Sequence, residues 1–459
     1  MIKEGSVESG EFKFENYIVD YQNGKAKVNN EKTEVSCEPP TPKIVFDEEK
    51  GVNIPQLSEG MTPIKWDSSN NEIETTADDP EWYDYSIQKW ANVKTKDGSY
   101  FVWIPRYAYK ITSGYHLSAT GAIDIKFLKG ISDTTVDGTS IETSGYIVGT
   151  KDTSMHYFTH PAFQNDINQL GYWVAKFEPT AVEGVANGYT SDYSCPSTAD
   201  NEITKTIKVE PNVQSWRCIT VANAYNTSLK MKDKKEIYGW NQAEVDTHIM
   251  TNLEWGAVAY LTISKYGTNR AEVYINNSQT YTTGCAGASV SASAYNGCYY
   301  KYNTVGGVKA STTYNITGIY DMRGSAPEML MGVYNELPAS SGFTIEELSN
   351  LSKNHITKYV TEAGDLLNGV GMNYDLNVYG DAMYETSNNA YRYNGSTWVG
   401  NQLSGWFGDQ TNLTYGAMPW FVYGGSFVMH ANSGLYSFVR QTGGINGLVS
   451  FRPIVSVIK

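Results

Sequence analysis

A single ordered run near the C-terminus limits the folds open to this chain. It reads Trp420-Phe421-Val422-Tyr423-Gly424-Gly425-Ser426-Phe427, then Gly434-Leu435-Tyr436, then Ser450-Phe451-Arg452-Pro453. An aromatic strand leads into a glycine pair, a polar irregular stretch follows, and a strand carrying an arginine closes the run. Adjacent glycines allow φ > 0 or a close approach of another segment. Residues 427–449 mix Val, Met, His, Phe, Arg, Gln, Thr and Leu without a period of 2 or 3.6. An aperiodic stretch held between two ordered elements is a loop scaffold that displays side chains, so function is expected here.

The chain has 459 residues, which predicts two domains or one domain with large insertions. Its 35 Tyr and 42 Gly suit a loop-rich β fold and a surface that binds through aromatic anchors. A net charge of −14 argues against nucleic acid or an anionic membrane as the main partner, since both need clustered Lys and Arg. No signal peptide opens the chain, and no apolar run approaches the ~20 residues of a spanning helix. Export by another route or a trimmed chain accounts for that, and no membrane insertion is expected. Of the five cysteines, Cys285 and Cys298 bracket a Gly/Ser/Ala-rich loop that can close on itself. Cys195 and Cys218 can also pair, leaving Cys37. An oxidising compartment and a reduced, structural role are both open at this point.

Residues 1–57 read as a small β-rich extension and linker, with a strand signal at Phe12–Val19, a proline-extended Cys37–Pro42 and an acidic Asp47–Glu49. Tyr100–Pro105 reads as a buried strand ended by proline. Capping boxes predict two helices. One runs from Thr251 and Glu254, with Trp255, Val258, Ala259 and Thr262 on one face, and stops at Gly267. The other runs from Thr344 and Glu347 to about Val360. A third, weaker helix is expected over 221–231.

Signals for chemistry are sparse. His156 and His160 have helical metal-ligand spacing, but Pro161 follows and no Cys or acidic pair completes a shell, so the spacing is read as chance. There is no phosphate loop and no Gly-x-Ser-x-Gly elbow. Asp321 and Glu328 are read as capping turns or holding a loop.

Taken in order, these landmarks resemble the formylglycine-generating-enzyme-like (sulfatase-modifying-factor) family, whose fold is C-type-lectin-like α+β. The resembling segments are Phe101-Val102-Trp103-Ile104-Pro105, Lys176-Phe177-Glu178-Pro179-Thr180, Val213-Gln214-Ser215-Trp216, Leu253-Glu254-Trp255-Gly256-Ala257, Gly318-Ile319-Tyr320-Asp321-Met322-Arg323-Gly324, Tyr423-Gly424-Gly425-Ser426 and Ser450-Phe451-Arg452. The resemblance implies such a domain over 58–459, with insertions near 112–160 and 268–312. The enzyme branch binds copper with two cysteines after Gly-Gly-Ser, and the matching positions here are Met429 and Gly434. No cysteine follows Cys298, so no thiolate site and no cofactor are expected. The family's Asn-Val-Trp-Glu-Trp is Ser325-Ala326-Pro327-Glu328-Met329 here.

The C-terminal segment more closely resembles the variable regions of proteins diversified by retroelements, where this fold holds a ligand-binding face. That resemblance implies display of Val422, Tyr423, Phe427, Val428, Met429, His430, Ser437, Val439, Arg440, Gln441, Thr442, Asn446, Leu448 and Val449. Phe421, Leu435, Phe451, Val455 and Val457 are expected in the core. The N-terminal part resembles gut bacterial surface proteins that carry the domain behind a pilin-type helix, absent here, and a virion tail adhesin is the rival. The expected function is non-enzymatic binding of a protein or glycan on another cell, by an adhesin or receptor-binding protein on a cell or virion surface. The alternatives are a copper oxidase and a structural subunit of a surface fibre.

Overall fold

The structure is a computed structural model. It describes residues 45–141, 153–164, 169–185, 194–196, 204–359, 379–383, 385–387, 392–393, 398–399 and 403–458, with four strand backbones between 9 and 36. The chain divides into Met1–Val45 and Phe46–Lys459. The split therefore lies ahead of position 57, because Phe46–Asp47 already pairs with Val52–Asn53 inside the larger unit. The smaller unit is an antiparallel meander of Ser9–Phe14, Tyr17–Gln22, Lys25–Val28 and Glu34–Ser36.

The larger unit is mixed α+β with strands prevailing. Its first sheet is antiparallel throughout, in the order Val245–Ile249, Pro453–Val457, Gly171–Ala175, Tyr100–Pro105, Asn92–Lys94, Thr62–Trp66, Glu72–Glu74. Tyr100–Pro105 is buried on both faces, as its unbroken apolar run dictates. Trp103 faces Trp173 across the ladder with ring centroids 5.1 Å apart, a cross-strand aromatic pair of the kind that stabilises a sheet. The second sheet runs Thr357–Tyr359, Glu328–Tyr334, Trp420–Gly424, Gly434–Gln441, Gln410–Thr411, Leu403–Ser404.

The helix Asn252–Ile263 starts at the expected capping box: Thr251 accepts from Glu254 N–H, and the Glu254 carboxylate accepts from Thr251 N–H at 2.8 Å. It is buried all round except at Leu253, not on one face as its periodicity suggested. Both sheets bind it. Tyr172 donates to Glu254 C=O and Trp255 donates to Leu435 C=O, at 3.2 and 2.7 Å. Helix Val221–Leu229 begins at its Thr220 cap. The helix expected from Thr344 to about Val360 keeps its capping box but covers only Ile345–Asn350. Only Leu348 of that helix is buried, so nothing carries it further, and the chain re-enters a sheet at Thr357.

The last strand joins the two sheets. Ser450–Phe451 lies parallel to Glu328–Met329 in the second sheet, and Pro453–Val457 enters the first between Gly171–Ala175 and Val245–Ile249. Arg452 stands at the crossing, fully buried. It pairs with Glu328 through Nε, 2.9 Å from Oε2, and through a second bond to Oε1. It also donates to Ala175 C=O at 2.6 Å and Tyr320 C=O at 3.0 Å. Two more buried acids stand close by. Glu178 accepts from Ala326 N–H and Ser325 Oγ, each at 3.1 Å. Asp321 accepts from Asn276 Nδ2 at 2.8 Å and Gly284 N–H at 2.9 Å. Asp321 thus holds loops as expected, whereas Glu328 is a strand residue paired to Arg452 rather than a turn cap.

Burial raises the pKa values of Glu178, Asp321 and Glu328, and the positive charge of Arg452 counters it. Arg452→Met leaves these acids buried without their cation, so a loss of about 3–5 kcal/mol at neutral pH is expected. The acids then titrate further above their unfolded values. Their contribution is complete below those values and lost as pH rises, so the damage should be smaller at acid pH. Urea unfolding of both proteins across pH checks this; an equal deficit at every pH would contradict it.

Candidate functional site

Gly424 and Gly425, at φ 87° and 65°, turn the chain out of strand Trp420–Gly424 as their adjacency predicted. Residues 427–432 form a short 3-10 segment before strand Gly434–Gln441. Within it His430 sits at φ 48°, ψ −111°, a region that costs a residue with a side chain about 1–3 kcal/mol. Met429 folds its thioether back onto Ser426 N–H at 3.4 Å. Gly434 packs its Cα on a buried carboxylate: a Cβ there would lie 2.1 Å from Asp409 Oδ2.

The displayed set expected from sequence divides. Val428 is exposed, and Met429, His430, Val439, Arg440, Gln441, Thr442 and Asn446 are half-buried. Val422, Tyr423, Phe427, Ser437, Leu448 and Val449 are buried, which corrects their assignment to a ligand-binding face. The reason is that the central strands of the second sheet are covered on both faces. Tyr423 meets Trp255 at 5.6 Å, Phe427 meets Tyr281 at 5.1 Å, and Ser437 donates to Gln410 C=O at 3.0 Å. Leu448 and Val449 pack into the same core. The expected core residues Phe421, Leu435, Phe451 and Val455 are buried and Val457 is half-buried.

The remaining residues do not form one patch. Antiparallel pairing sets Gly424 opposite Gly434 and Trp420 opposite Gln441. Residues 427–430 and 439–442 therefore lie toward opposite ends of a strand pair about 14 Å long, four steps from Trp420 to Gly424 at 3.4 Å per residue. At the far end Arg440 lies over the Tyr415 ring, 5.2 Å from its centroid. At the near end sequence reasoning missed the neighbours. Cys285 and Cys298 are disulfide-bonded as expected, and Cys195–Cys218 form a second bridge. The loop closed by Cys285–Cys298 reaches His430, whose Nδ1 lies 3.3 Å from Ala292 C=O. Tyr295 in this loop and Tyr299 and Tyr300 just after Cys298 are exposed, in an edge-to-face ladder with centroids 5.1 and 4.7 Å apart. Aromatic residues within and just after a cysteine-closed loop were the available signal.

His160, one of the two histidines singled out by spacing, is buried among Tyr107, Tyr109, Phe163 and Tyr260. Burial holds it neutral, with a pKa lowered to about 3. It caps the 3-10 turn Pro161–Phe163 and is not on a helix with His156. A different cluster, Asp246, His248 and His355, brings one donor atom from each residue within 4.8 Å of the others. Burial opposes charge on His248, but Glu254 and Asp246 outweigh it and raise the pKa to about 10. Asp246 is likewise buried, yet the two imidazoles hold its carboxyl far below the ordinary range. The Asp-x-His spacing on a strand was visible in sequence; its partner His355 is more than a hundred residues away and was not.

No protein-family model matches this chain, and no curated protein matches it.

Asp409, beneath Gly434, has its pKa pushed up to about 8 by burial, against the nearby Arg323 charge and the Tyr436 N–H. Its folded pKa lies above the ordinary 3.8, so its contribution is complete below about pH 4 and lost as pH rises through about 8. Asp409→Asn is expected to retain the bond from Tyr436 and flatten this decline. Urea midpoints between pH 4 and 8 should show the variant gaining on the wild type as pH rises. Parallel curves would mean that Asp409 does not titrate in that window.

Proposed function

We propose that this chain is a non-enzymatic ligand-binding protein of a cell or virion surface, an adhesin or receptor-binding protein on a C-type-lectin-like fold of the formylglycine-generating-enzyme type. The convergence of Glu178, Asp321 and Arg452 supports the fold: they come from three separate landmark segments, yet they meet in one buried polar core. Buried Lys176, in the same segment as Glu178, donates from Nζ to Asn92 Oδ1, Ile316 C=O and Gly318 C=O at 2.7–2.8 Å. The closing strand Pro453–Val457 and the enclosed helix Asn252–Ile263 support it too.

One observation carries the binding reading: the turn that exposes Val428 touches the Cys285–Cys298 loop through His430 and Ala292, and that loop and the residues just after it expose Tyr295, Tyr299 and Tyr300. Tyrosines on a constrained loop offer large contact area with little entropy to lose. Exposed aromatic and apolar side chains gathered at one place are a recognised mark of an interaction site. The binding surface is thus the 427–430 end of the strand pair together with this loop. Both disulfides suit an oxidising, extracellular setting. Against the copper oxidase, Gly434 leaves no room for a side chain at one of the two cysteine positions, and Met429 fills the other.

The test pairs binding with stability. The wild type is screened against arrayed glycans and against intact bacterial and animal cells. For a bound target, Val428→Ala and Tyr299→Ala should each cost about 1–3 kcal/mol of affinity while leaving stability within about 0.5 kcal/mol. Phe451→Ala should cost about 3–5 kcal/mol of stability. Copper-dependent oxidation of a cysteine peptide, or binding indifferent to both surface variants, would overturn the reading.

A further inference from the structure

We propose that Asp246, His248 and His355 form a binding site for a transition-metal dication of borderline softness, with Zn(II) the best fit. Asp246 and His248 are two residues apart on the edge strand Val245–Ile249, so both side chains project from one face. His355 comes from the turn between helix Ile345–Asn350 and strand Thr357–Tyr359, and stacks on His248 with centroids 4.6 Å apart. His248 Nδ1 and His355 Nε2 converge on one oxygen, Asp246 Oδ2, at 3.0 and 2.8 Å.

The opposite ring nitrogens are each held by a polar group. His248 Nε2 lies 3.0 Å from Glu254 Oε1, and His355 Nδ1 lies 2.9 Å from the Tyr225 hydroxyl. Metal-bound imidazoles characteristically have their second nitrogen fixed this way, by a carboxylate or another polar partner, which sets the tautomer and the ring orientation. Glu254 is itself fixed, since its other oxygen caps helix Asn252–Ile263 through Thr251.

One donor atom from each residue lies within 4.8 Å of the others. Tetrahedral bonds of about 2.0–2.1 Å place donors about 3.3 Å apart, so each atom moves by on the order of 1 Å or less to close on an ion. Two imidazoles and a carboxylate suit Zn(II); hard cations such as Ca(II) require oxygen ligands instead. His248 is enclosed, while Asp246 and His355 keep side-chain exposures of 17% and 13%. Solvent therefore reaches the site from their side, where a fourth ligand would stand. The site is remote in sequence from the proposed binding loop and does not depend on that reading.

The experiment uses the untagged full chain, stripped with EDTA. Zn(II) is titrated calorimetrically, and Co(II) is added as a spectroscopic stand-in. One Zn(II) per chain and visible Co(II) bands of tetrahedral intensity are expected. His355→Ala should weaken Zn(II) binding at least about 100-fold. Tyr225→Phe keeps all three ligands, removes the hydroxyl that orients His355, and should weaken binding about tenfold. His156→Ala should change nothing. Thermal melts establish that each variant is folded; if His355→Ala is not, the Tyr225→Phe result decides. No saturable binding at micromolar Zn(II), binding that survives a folded His355→Ala, or an equal loss in His156→Ala would each overturn the proposal and leave a metal-free ionic network.

Discussion

Arg452 is the residue on which the two sheets depend. It lies between two short pairings of one closing segment, with Ser450–Phe451 in the second sheet and Pro453–Val457 in the first. Its guanidinium binds Glu328 from the second sheet and the Ala175 carbonyl from the first. A planar group with five fixed donors can satisfy partners in several directions at once, which an ammonium cannot do as well. Burial alone would disfavour this charge, but Glu328 and the acids beyond it outweigh that effect and raise its pKa. The polar core is thus an ionic lattice inside an aromatic shell, and removing any member leaves the others desolvated.

This rigid centre explains where recognition can occur. Strand Trp420–Gly424 and the Gly434–Phe438 part of its neighbour are covered on both faces, so these side chains hold the fold together and cannot reach a ligand. Free of that cover are the half-buried residues 439–442, the turn that Gly424 and Gly425 make possible, and the loop tied by Cys285–Cys298. A turn carrying a strained His430 and a loop closed by a covalent bond are both constrained by the scaffold. Contacts made by such segments lose little conformational entropy on binding. The Asp246 cluster lies elsewhere, on the edge strand of the first sheet, where side chains escape enclosure on one side.

The sequence by itself determined the local elements whose signals are short-range. Both capping boxes, the Thr220 helix, the buried strand Tyr100–Pro105, the glycine-pair turn and the Cys285–Cys298 bridge were legible, because each is set by residues near one another in the chain. The tertiary structure decided everything that depends on the partner of an element. Helix Asn252–Ile263 was expected to pack one face, yet it is enclosed nearly all round, held by hydrogen bonds from both sheets. The resemblance implied display of Val422, Tyr423 and Ser437, but they lie where the sheet is covered on both faces and has no free face. Residues 427–430 and 439–442 are near in sequence and far in space, since antiparallel pairing carries them to opposite ends of two strands. His355 meets Asp246 and His248 only when the turn after Asn350 folds against an edge strand. Such pairings are selected by packing over the whole unit, and no local propensity encodes them.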